Sequence, residues 1–266
     1  MERFVERDGV RIAYEVRGGG EARPLVLVHG LGYARWGWAP VVDGLAAGRR
    51  VALLDNRGVG ASDAPPGPYT SEVMAEDVLA VVDDLGWDRV HLAGASLGGM
   101  IAQQVALARP GLVDRLVLVC TTPGGDVAHP IPAATLDLMQ RMPTMAPADA
   151  LHAAVDNALG GTAGEARDRI VEQVVAHRLA SPQDPAGWQA QAHAGTTHDL
   201  GGAVAGITCP TLVLHGDHDQ VVDHRNAEVL GALLPDARVV VVPGGGHLWF
   251  WEQPDRFVAE VDAFLG

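Results

Sequence analysis

Short runs rich in Val and Leu alternate with longer stretches of helical periodicity along most of this chain. Two early runs, 4–6 and 11–16, flank the pair Asp8-Gly9, which predicts a β-hairpin. Six later runs are almost entirely apolar, as strands covered on both faces are: 25–28, 50–54, 89–93, 115–119, 211–214 and 238–242. The alternation predicts an α/β protein with a mostly parallel eight-stranded sheet and helices on both faces.

Helical periodicity between these runs predicts five helices of the core, at 38–47, 71–85, 97–108, 224–234 and 254–265. The segment 122–206 has no strand signal and contains helical stretches separated by Pro and Gly, among them 133–141, 148–159 and 165–179. An insertion of this length between two strands is typical of a lid over a site. We therefore predict a core formed by 1–121 and 207–266 and a helical cap formed by 122–206.

The chain carries a formal net charge of -14, and all 19 of its basic residues are arginine. A chain without lysine cannot form a lysine Schiff base, and it lacks both the phosphate-binding G-x-x-x-x-G-K-[ST] loop and a kinase-type lysine. The acidic balance, with no concentrated basic face, argues against nucleic acid as a partner. The partner that we expect is a small neutral or apolar molecule.

Neither a targeting segment nor a membrane span is predicted. The first eleven residues mix charged with apolar residues, and no later run approaches the roughly 20 apolar residues that cross a bilayer. We expect a cytoplasmic protein without membrane contact. Cys120 and Cys209 lie at the ends of apolar runs and are expected to be reduced core thiols. Monomer and homo-oligomer are both compatible with the sequence.

The strongest chemical motif is Gly94-Ala95-Ser96-Leu97-Gly98-Gly99, which lies between a predicted strand and a predicted helix. In that context G-x-S-x-G predicts a nucleophile elbow, a sharp turn that presents Ser96 above the sheet. Small residues are needed where neighbouring backbone comes close, and the start of the helix favours developing negative charge. The alternative is a glycine-rich turn with an incidental serine, and the position between strand and helix argues against it.

A serine hydroxyl needs a base, and the base needs a third group that orients it. Among eleven histidines, His247 has the best context because it ends a glycine-rich loop after the last strand. Asp219 is the first candidate for the acid and Asp217 the second, since both follow the strand after the cap. Another interpretation makes this region a metal cluster of His215, Asp217, His218, Asp219 and His224. No recognised ligand spacing supports that cluster, and we expect no metal.

An acyl-transfer enzyme usually stabilises the oxyanion with two backbone N–H groups. Leu97, immediately after the serine, is expected to supply one, and Leu31 in the loop His29-Gly30-Leu31-Gly32 is expected to supply the other. Three further residues beside these loops are predicted substrate contacts, with core packing an equal alternative for the tryptophans: Gly30, Trp36 and Trp249.

Five motifs together resemble the α/β-hydrolase superfamily: G-A-S-L-G-G around Ser96, H-G-L-G at 29–32, D-N-R-G-V-G-A-S at 55–62, H-G-D-H-D at 215–219 and P-G-G-G-H at 243–247. The resemblance covers nearly the whole chain outside the cap, and the order Ser, Asp, His also matches. Residues 55–110 are similar to 3-oxoadipate enol-lactonases, small carboxylesterases and cofactor-free haloperoxidases. The resemblance implies Asp219 in the G-x-x-D position, oxyanion donors at Leu31 and Leu97, and a structural role for Arg57.

Motifs and resemblance together predict a serine hydrolase that cleaves a small-molecule ester or lactone through an acyl-enzyme, without a cofactor. Carbon-carbon bond hydrolysis and perhydrolase or haloperoxidase-like chemistry on the same triad are alternatives. A ligand-binding protein without turnover is a third, and the complete Ser/Asp/His set argues against it. The cap matches no comparable pattern, so the acyl and alcohol groups are not predicted.

Overall fold

A computed structural model describes residues 1–266 and contains one eight-stranded sheet. The strands are β1 (Arg3–Arg7), β2 (Val10–Gly18), β3 (Ala22–Val28), β4 (Arg49–Leu54), β5 (Val90–Ala95), β6 (Val113–Val119), β7 (Thr211–Gly216) and β8 (Ala237–Val242). Their spatial order is β1-β2-β4-β3-β5-β6-β7-β8. The β1–β2 and β2–β4 pairs are antiparallel and all others are parallel. The predicted α/β-hydrolase fold is confirmed.

Ten α-helices accompany the sheet: α1 (Val42–Leu45), α2 (Ser71–Asp84), α3 (Leu97–Ala108), α4 (Ala133–Arg141), α5 (Pro147–Asn157), α6 (Gly164–Ala180), α7 (Pro185–Thr196), α8 (Arg225–Leu233), α9 (Trp249–Glu252) and α10 (Pro254–Leu265). No helix is both long enough and apolar enough to cross a bilayer. The predicted helix 38–47 is wrong. A 3-10 turn at Arg35–Trp38 and the single turn of α1 replace it, and Gly44 within this stretch disfavours a longer helix.

Two apolar clusters cover the two faces of the sheet, as its strands require. Val26 and Val28 of β3 belong to one cluster, and Leu25 and Leu27 belong to the other. This division follows from the two-residue period of a strand, which sends successive side chains to opposite faces. Helices α2, α3 and α8 contribute to the first cluster, and α1 and α10 to the second. The apolar runs of the sequence are therefore buried on both sides.

The helices α4 to α7 lie between β6 and β7 and contact the carboxyl edge of the sheet. Gln191 of α7 accepts a hydrogen bond from the Gly32 N–H after β3 and donates one to the Arg57 carbonyl after β4. On the other side, the N–H of Leu248 after β8 donates to the Ala158 carbonyl. An isolated β-bridge between Gly124 and Asp199 draws the two ends of the segment together. This segment therefore covers the edge where the loops after the parallel strands meet.

Arg57 has the structural role that the resemblance implies. Its guanidinium forms two hydrogen bonds of 2.6 Å with the carboxylate of Asp77 on α2, and both side chains are more than nine-tenths buried. The pair anchors the loop after β4, whose Arg57 carbonyl accepts the bond from Gln191. Removing one member of a buried ion pair leaves the other charge uncompensated.

Asp77→Ala is therefore expected to lower the free energy of unfolding by about 3–5 kcal/mol, measured by urea denaturation. The control is Asp83→Ala on the same helix, which removes an exposed ion pair with Arg109 and is expected to cost less than about 1 kcal/mol. Equal costs for the two variants would show that the Arg57 pair is not an anchor.

Candidate active site

Ser96 occupies a sharp turn between β5 and α3. Its backbone has φ 56° and ψ -122°, a conformation that costs an L residue energy and that surrounding contacts must maintain. Those contacts are hydrogen bonds: the Ser96 N–H donates to the Val119 carbonyl at 2.8 Å, and the Ser96 carbonyl accepts from the Thr121 hydroxyl at 2.8 Å. This is the geometry of the predicted elbow, with the serine side chain at the carboxyl edge of the sheet.

The glycines of the motif allow the elbow to approach the end of β3. A Cβ atom at Gly98 would lie 2.1 Å from the Val28 carbonyl oxygen, and one at Gly30 would lie 2.9 Å from the Ser96 Cβ. No larger residue fits either position without movement of the backbone. Leu97, as the first residue of α3, has no earlier carbonyl within that helix for its N–H. Leu31 follows Gly30 directly, so both predicted oxyanion donors lie in segments that adjoin Ser96.

His29 holds the loop after β3 in place. Its Nδ1 accepts a hydrogen bond from the Gly30 N–H at 2.7 Å, and its carbonyl accepts from the Asn56 side chain at 2.8 Å. Burial, with smaller contributions from the charges of His247 and Arg178, lowers the pKa of His29 to about 3. His29 is therefore neutral in the physiological range, which preserves Nδ1 as an acceptor.

The carboxylate of Asp219 is fully buried and receives four hydrogen bonds. The N–H groups of Val221 and Val222 donate to Oδ1 at 2.7 and 3.0 Å, and His247 Nδ1 and His215 Nε2 lie 2.8 and 3.0 Å from Oδ2. Burial alone would raise the pKa of Asp219. Attraction to His247 and the hydrogen bonds from both histidines outweigh burial and hold that pKa well below its usual range. The Asp219 side chain is therefore an ionised carboxylate whose orientation is fixed by its four hydrogen bonds.

His247 is fixed through its Nδ1 atom. Because an ionised carboxylate only accepts, Nδ1 carries the proton of the 2.8 Å bond to Asp219, and the neutral ring keeps its lone pair on Nε2. The adjacent Gly246 N–H donates to Glu252 Oε2 at 2.8 Å, and Glu252 Oε1 accepts from Gly160 of the helical segment. Glu252 thus links the loop that precedes His247 to Gly160 of the helical segment.

Ser96 and His247 lie on either side of the end of β6. The Ser96 N–H bonds to Val119, and the next residue, Cys120, has its Sγ 3.9 Å from the Gly246 carbonyl oxygen. No hydrogen bond joins the Ser96 hydroxyl to His247. The structure therefore brings Asp219 and His247 into direct contact and places Ser96 at the same edge.

Asp217, the second candidate for the acid, accepts from the Gly244 N–H at 2.6 Å and supports the loop. Of the alternative metal cluster, only His215 and Asp219 come together, and their third neighbour is Cys120, with the three donor atoms within 4.8 Å of one another. Burial raises the pKa of the Cys120 thiol well above its ordinary value, and four N–H groups already occupy the Asp219 carboxylate. This donor set does not suit a cation.

The two predicted tryptophans have different surroundings. Trp249 is completely buried and packs against Phe257 with ring centroids 5.3 Å apart, so the structure supports the core-packing alternative. Trp36 is partly exposed and stacks on His177 of α6 at 4.9 Å. It therefore lies between the core and the helical segment.

Sequence reasoning missed His215 as a hydrogen-bond partner of Asp219 and Glu252 as a partner of the loop before His247. The sequence pattern indicated His215 only as an alternative metal ligand. Its Nε2 faces two acceptors, Asp219 Oδ2 at 3.0 Å and the Val222 carbonyl at 3.1 Å, so Nε2 carries a proton. The position of His215, one residue before the end of a buried strand, was the available signal. Glu252 gave no comparable signal.

Comparison with known proteins identifies the family. Residues 23–254 match the family model described as the alpha/beta hydrolase fold, and the chain belongs to this family of hydrolases. A 2-hydroxy-6-oxononadienedioate/2-hydroxy-6-oxononatrienedioate hydrolase of Cupriavidus pinatubonensis is 31% identical over 93% of this chain and 88% of its own length.

Two solved structures show the same architecture. An esterase from a Rhodococcus species has a TM-score of 0.87 and 30% identity, with 100% of this chain and 98% of that chain covered. An enol-lactonase from Burkholderia xenovorans has a TM-score of 0.85 and 28% identity, with 99% of each chain covered.

Gly30→Ala tests the close approach between the loop after β3 and the elbow. The added Cβ would meet both the Ser96 Cβ and the Ala95 carbonyl oxygen, at 2.9 and 3.1 Å, and overpacking of this kind costs about 1–3 kcal/mol. We expect that loss in urea denaturation. The control is Gly48→Ala, because a Cβ at Gly48 meets nothing within 4 Å. Equal stability of the two variants would contradict the close approach of Gly30 to Ser96.

Proposed function

We propose that the protein is a serine hydrolase that cleaves a carboxylic ester or lactone of a small molecule through an acyl-enzyme. The observation that carries the proposal is the 2.8 Å hydrogen bond between Asp219 and His247, at the sheet edge where the backbone of Ser96 is strained. An oriented histidine with a free Nε2 lone pair is the base that a serine hydroxyl requires.

In this mechanism the Ser96 hydroxyl attacks the carbonyl carbon while His247 Nε2 accepts its proton. The N–H groups of Leu31 and Leu97 stabilise the oxyanion, and Asp219 stabilises the imidazolium that forms. His247 then protonates the leaving alcohol and later activates the water that releases the acid. Each step uses side chains or backbone of this chain and needs no cofactor.

We further propose that residues 122–206 act as a cap that selects the substrate. Three contacts support this role: Gln191 with Gly32, Ala158 with Leu248, and Gly195, whose Cβ position lies 3.9 Å from the Leu97 side chain. These partners adjoin Leu31, His247 and Ser96 in sequence. A substrate bound above Ser96 would thus meet helices α5 to α7.

The names of the similar proteins support ester or lactone cleavage, and one of these names supports a second activity. The similar structures are an esterase and an enol-lactonase, whereas the Cupriavidus relative is named for hydrolysis of a dienedioate. Carbon-carbon bond hydrolysis on the same triad is therefore the second candidate. A panel that compares simple esters, lactones and a dienone substrate separates the two activities.

Ser96→Ala is expected to lower the hydrolysis of short p-nitrophenyl esters by roughly six orders of magnitude and to abolish covalent labelling by a fluorophosphonate. The measurements are initial rates and mass spectrometry of the labelled peptide. Thr196→Ala is the matched control, because this exposed hydroxyl bonds only to carbonyls of its own helix. Undiminished turnover without Ser96 would refute the proposed nucleophile.

His215 is expected to act as a positioning residue for Asp219. His215→Leu removes one donor to the carboxylate, and a charge-assisted hydrogen bond contributes about 1.5–3 kcal/mol. We expect kcat/KM to fall by about 10- to 100-fold. His215→Gln keeps an N–H donor near the Nε2 position and is expected to restore most of the activity. Equal losses of kcat/KM in the two variants would mean that the shape of His215 matters and that its hydrogen bond to Asp219 does not.

A further inference from the structure

The loop that contains His247 lies directly against one turn of the helical segment. We call residues 243–248 the histidine loop and residues 158–162, between α5 and α6, the docking turn. Two backbone hydrogen bonds, one donated by each segment, join them: Leu248 N–H to the Ala158 carbonyl at 2.9 Å, and Gly161 N–H to the Gly244 carbonyl at 2.6 Å. A Cβ atom at Gly160 would overlap the backbone of the histidine loop. The two segments are therefore in backbone contact.

The carboxylate of Glu252, the last residue of α9, is a second link between them. Its Oε2 accepts a hydrogen bond from the Gly246 N–H at 2.8 Å, and Gly246 directly precedes His247. Its Oε1 accepts from the N–H groups of Gly160 and Thr162 at 3.0 and 3.3 Å. Each oxygen thus serves a different segment, and a charged acceptor makes such bonds stronger than neutral ones.

Arg167 of α6 fixes the docking turn from the other side. Its Nη1 donates to the carbonyls of Gly160 and Thr162 at 3.0 and 3.1 Å, and its Nη2 donates to the Asp156 carbonyl at 2.6 Å. The two residues whose N–H groups bind Glu252 therefore have carbonyls that bind Arg167. The docking turn is held by α6 through Arg167 and is connected to the histidine loop through Glu252.

The histidine loop needs such support because three consecutive glycines, 244–246, precede His247. Glycine restricts the backbone less than any other residue, so these positions do little to fix the loop by themselves. The bond to Asp219 orients the imidazole ring, but the backbone determines how far the ring lies from Ser96. A displacement of about 1 Å at a reacting group costs about 100-fold in rate.

We propose that Glu252 is a positioning residue for His247, and that it makes the position of this base depend on the docking turn of the helical segment. Glu252 is not a catalytic residue, because its carboxylate bonds only to backbone N–H groups. This inference rests on the proposed function, since it treats His247 as the base.

The kinetic test uses Glu252→Gln, which keeps the size of the side chain but has one acceptor oxygen and cannot serve both segments. It is expected to lower kcat for short p-nitrophenyl esters by about 10- to 100-fold. KM is expected to change less than about twofold, because the loss concerns the base and not the binding of the ester.

Arg167→Gln is expected to lower kcat in the same way. The double variant is expected to lose less than the product of the two single losses, because both residues hold the same turn. The matched control is Arg169→Gln, an exposed arginine of the same helix, which is expected to leave kcat and KM unchanged.

An NMR test separates this inference from the proposed function. The proton on His247 Nδ1, bonded to Asp219, is followed as a downfield signal that His247→Gln removes, after urea denaturation has shown that all variants are folded. Glu252→Gln and Arg167→Gln are expected to shift or broaden this signal, and Arg169→Gln is expected to leave it unchanged. That result supports the inference even if no ester is hydrolysed.

An unchanged signal in Glu252→Gln, or a kinetic loss that appears only in KM, overturns the inference. Ester hydrolysis that depends on Ser96 but not on Glu252 also overturns it and leaves the proposed function standing alone.

Discussion

The backbone of Gly98 lies so close to the end of β3 that a Cβ atom there would be 2.1 Å from the Val28 carbonyl oxygen. This contact presses the start of α3 onto the loop that contains Gly30 and Leu31. The strained backbone of Ser96 is maintained in the same place by bonds to Val119 and Thr121. Because the two proposed oxyanion donors lie in the two segments that meet here, the geometry of the site depends on an approach that only glycine permits.

A second constraint fixes Asp219 and His247, two members of the proposed triad. Asp219 is buried, and four N–H donors offset the cost of its desolvation. Two of the donors are the backbone N–H groups of Val221 and Val222, which follow Asp219 in the same loop. The turn after β7 therefore supplies half of the hydrogen bonds to the carboxylate. The remaining two come from His215, at the end of β7, and from His247, after β8. The Asp219 carboxylate therefore links the ends of two neighbouring strands, β7 and β8. The hydrogen bonds that the fold provides keep this carboxylate ionised.

Most strands and helices could be predicted from the sequence because their signals are local. The continuous apolar runs that predicted β3 to β8 are those of strands covered on both faces, and α3 and α10 have the predicted bounds. The three proposed triad positions were predicted from motif and chain order, and the structure brings two of them, Asp219 and His247, into contact. The predicted helix 38–47 is reduced to one turn, since Gly44 weakens the helical preference that its apolar pattern indicated. Trp249 and His215 could not be assigned, since the surroundings of a side chain depend on segments distant in the sequence.

The contacts between the core and residues 122–206 show why short sequence patterns could not predict the surroundings of the loop after β3. Gly32 has φ 74°, which already favours glycine, and the space where its Cβ would lie is occupied by Arg178 Nη1 at 2.7 Å. The same Gly32 N–H donates to Gln191 of α7. One residue of the loop after β3 thus contacts two helices, α6 and α7, that come much later in the chain. The proposed chemistry and the proposed substrate choice therefore depend on adjacent parts of the structure that are encoded apart, the first in short motifs of the core and the second in contacts between the core and residues 122–206.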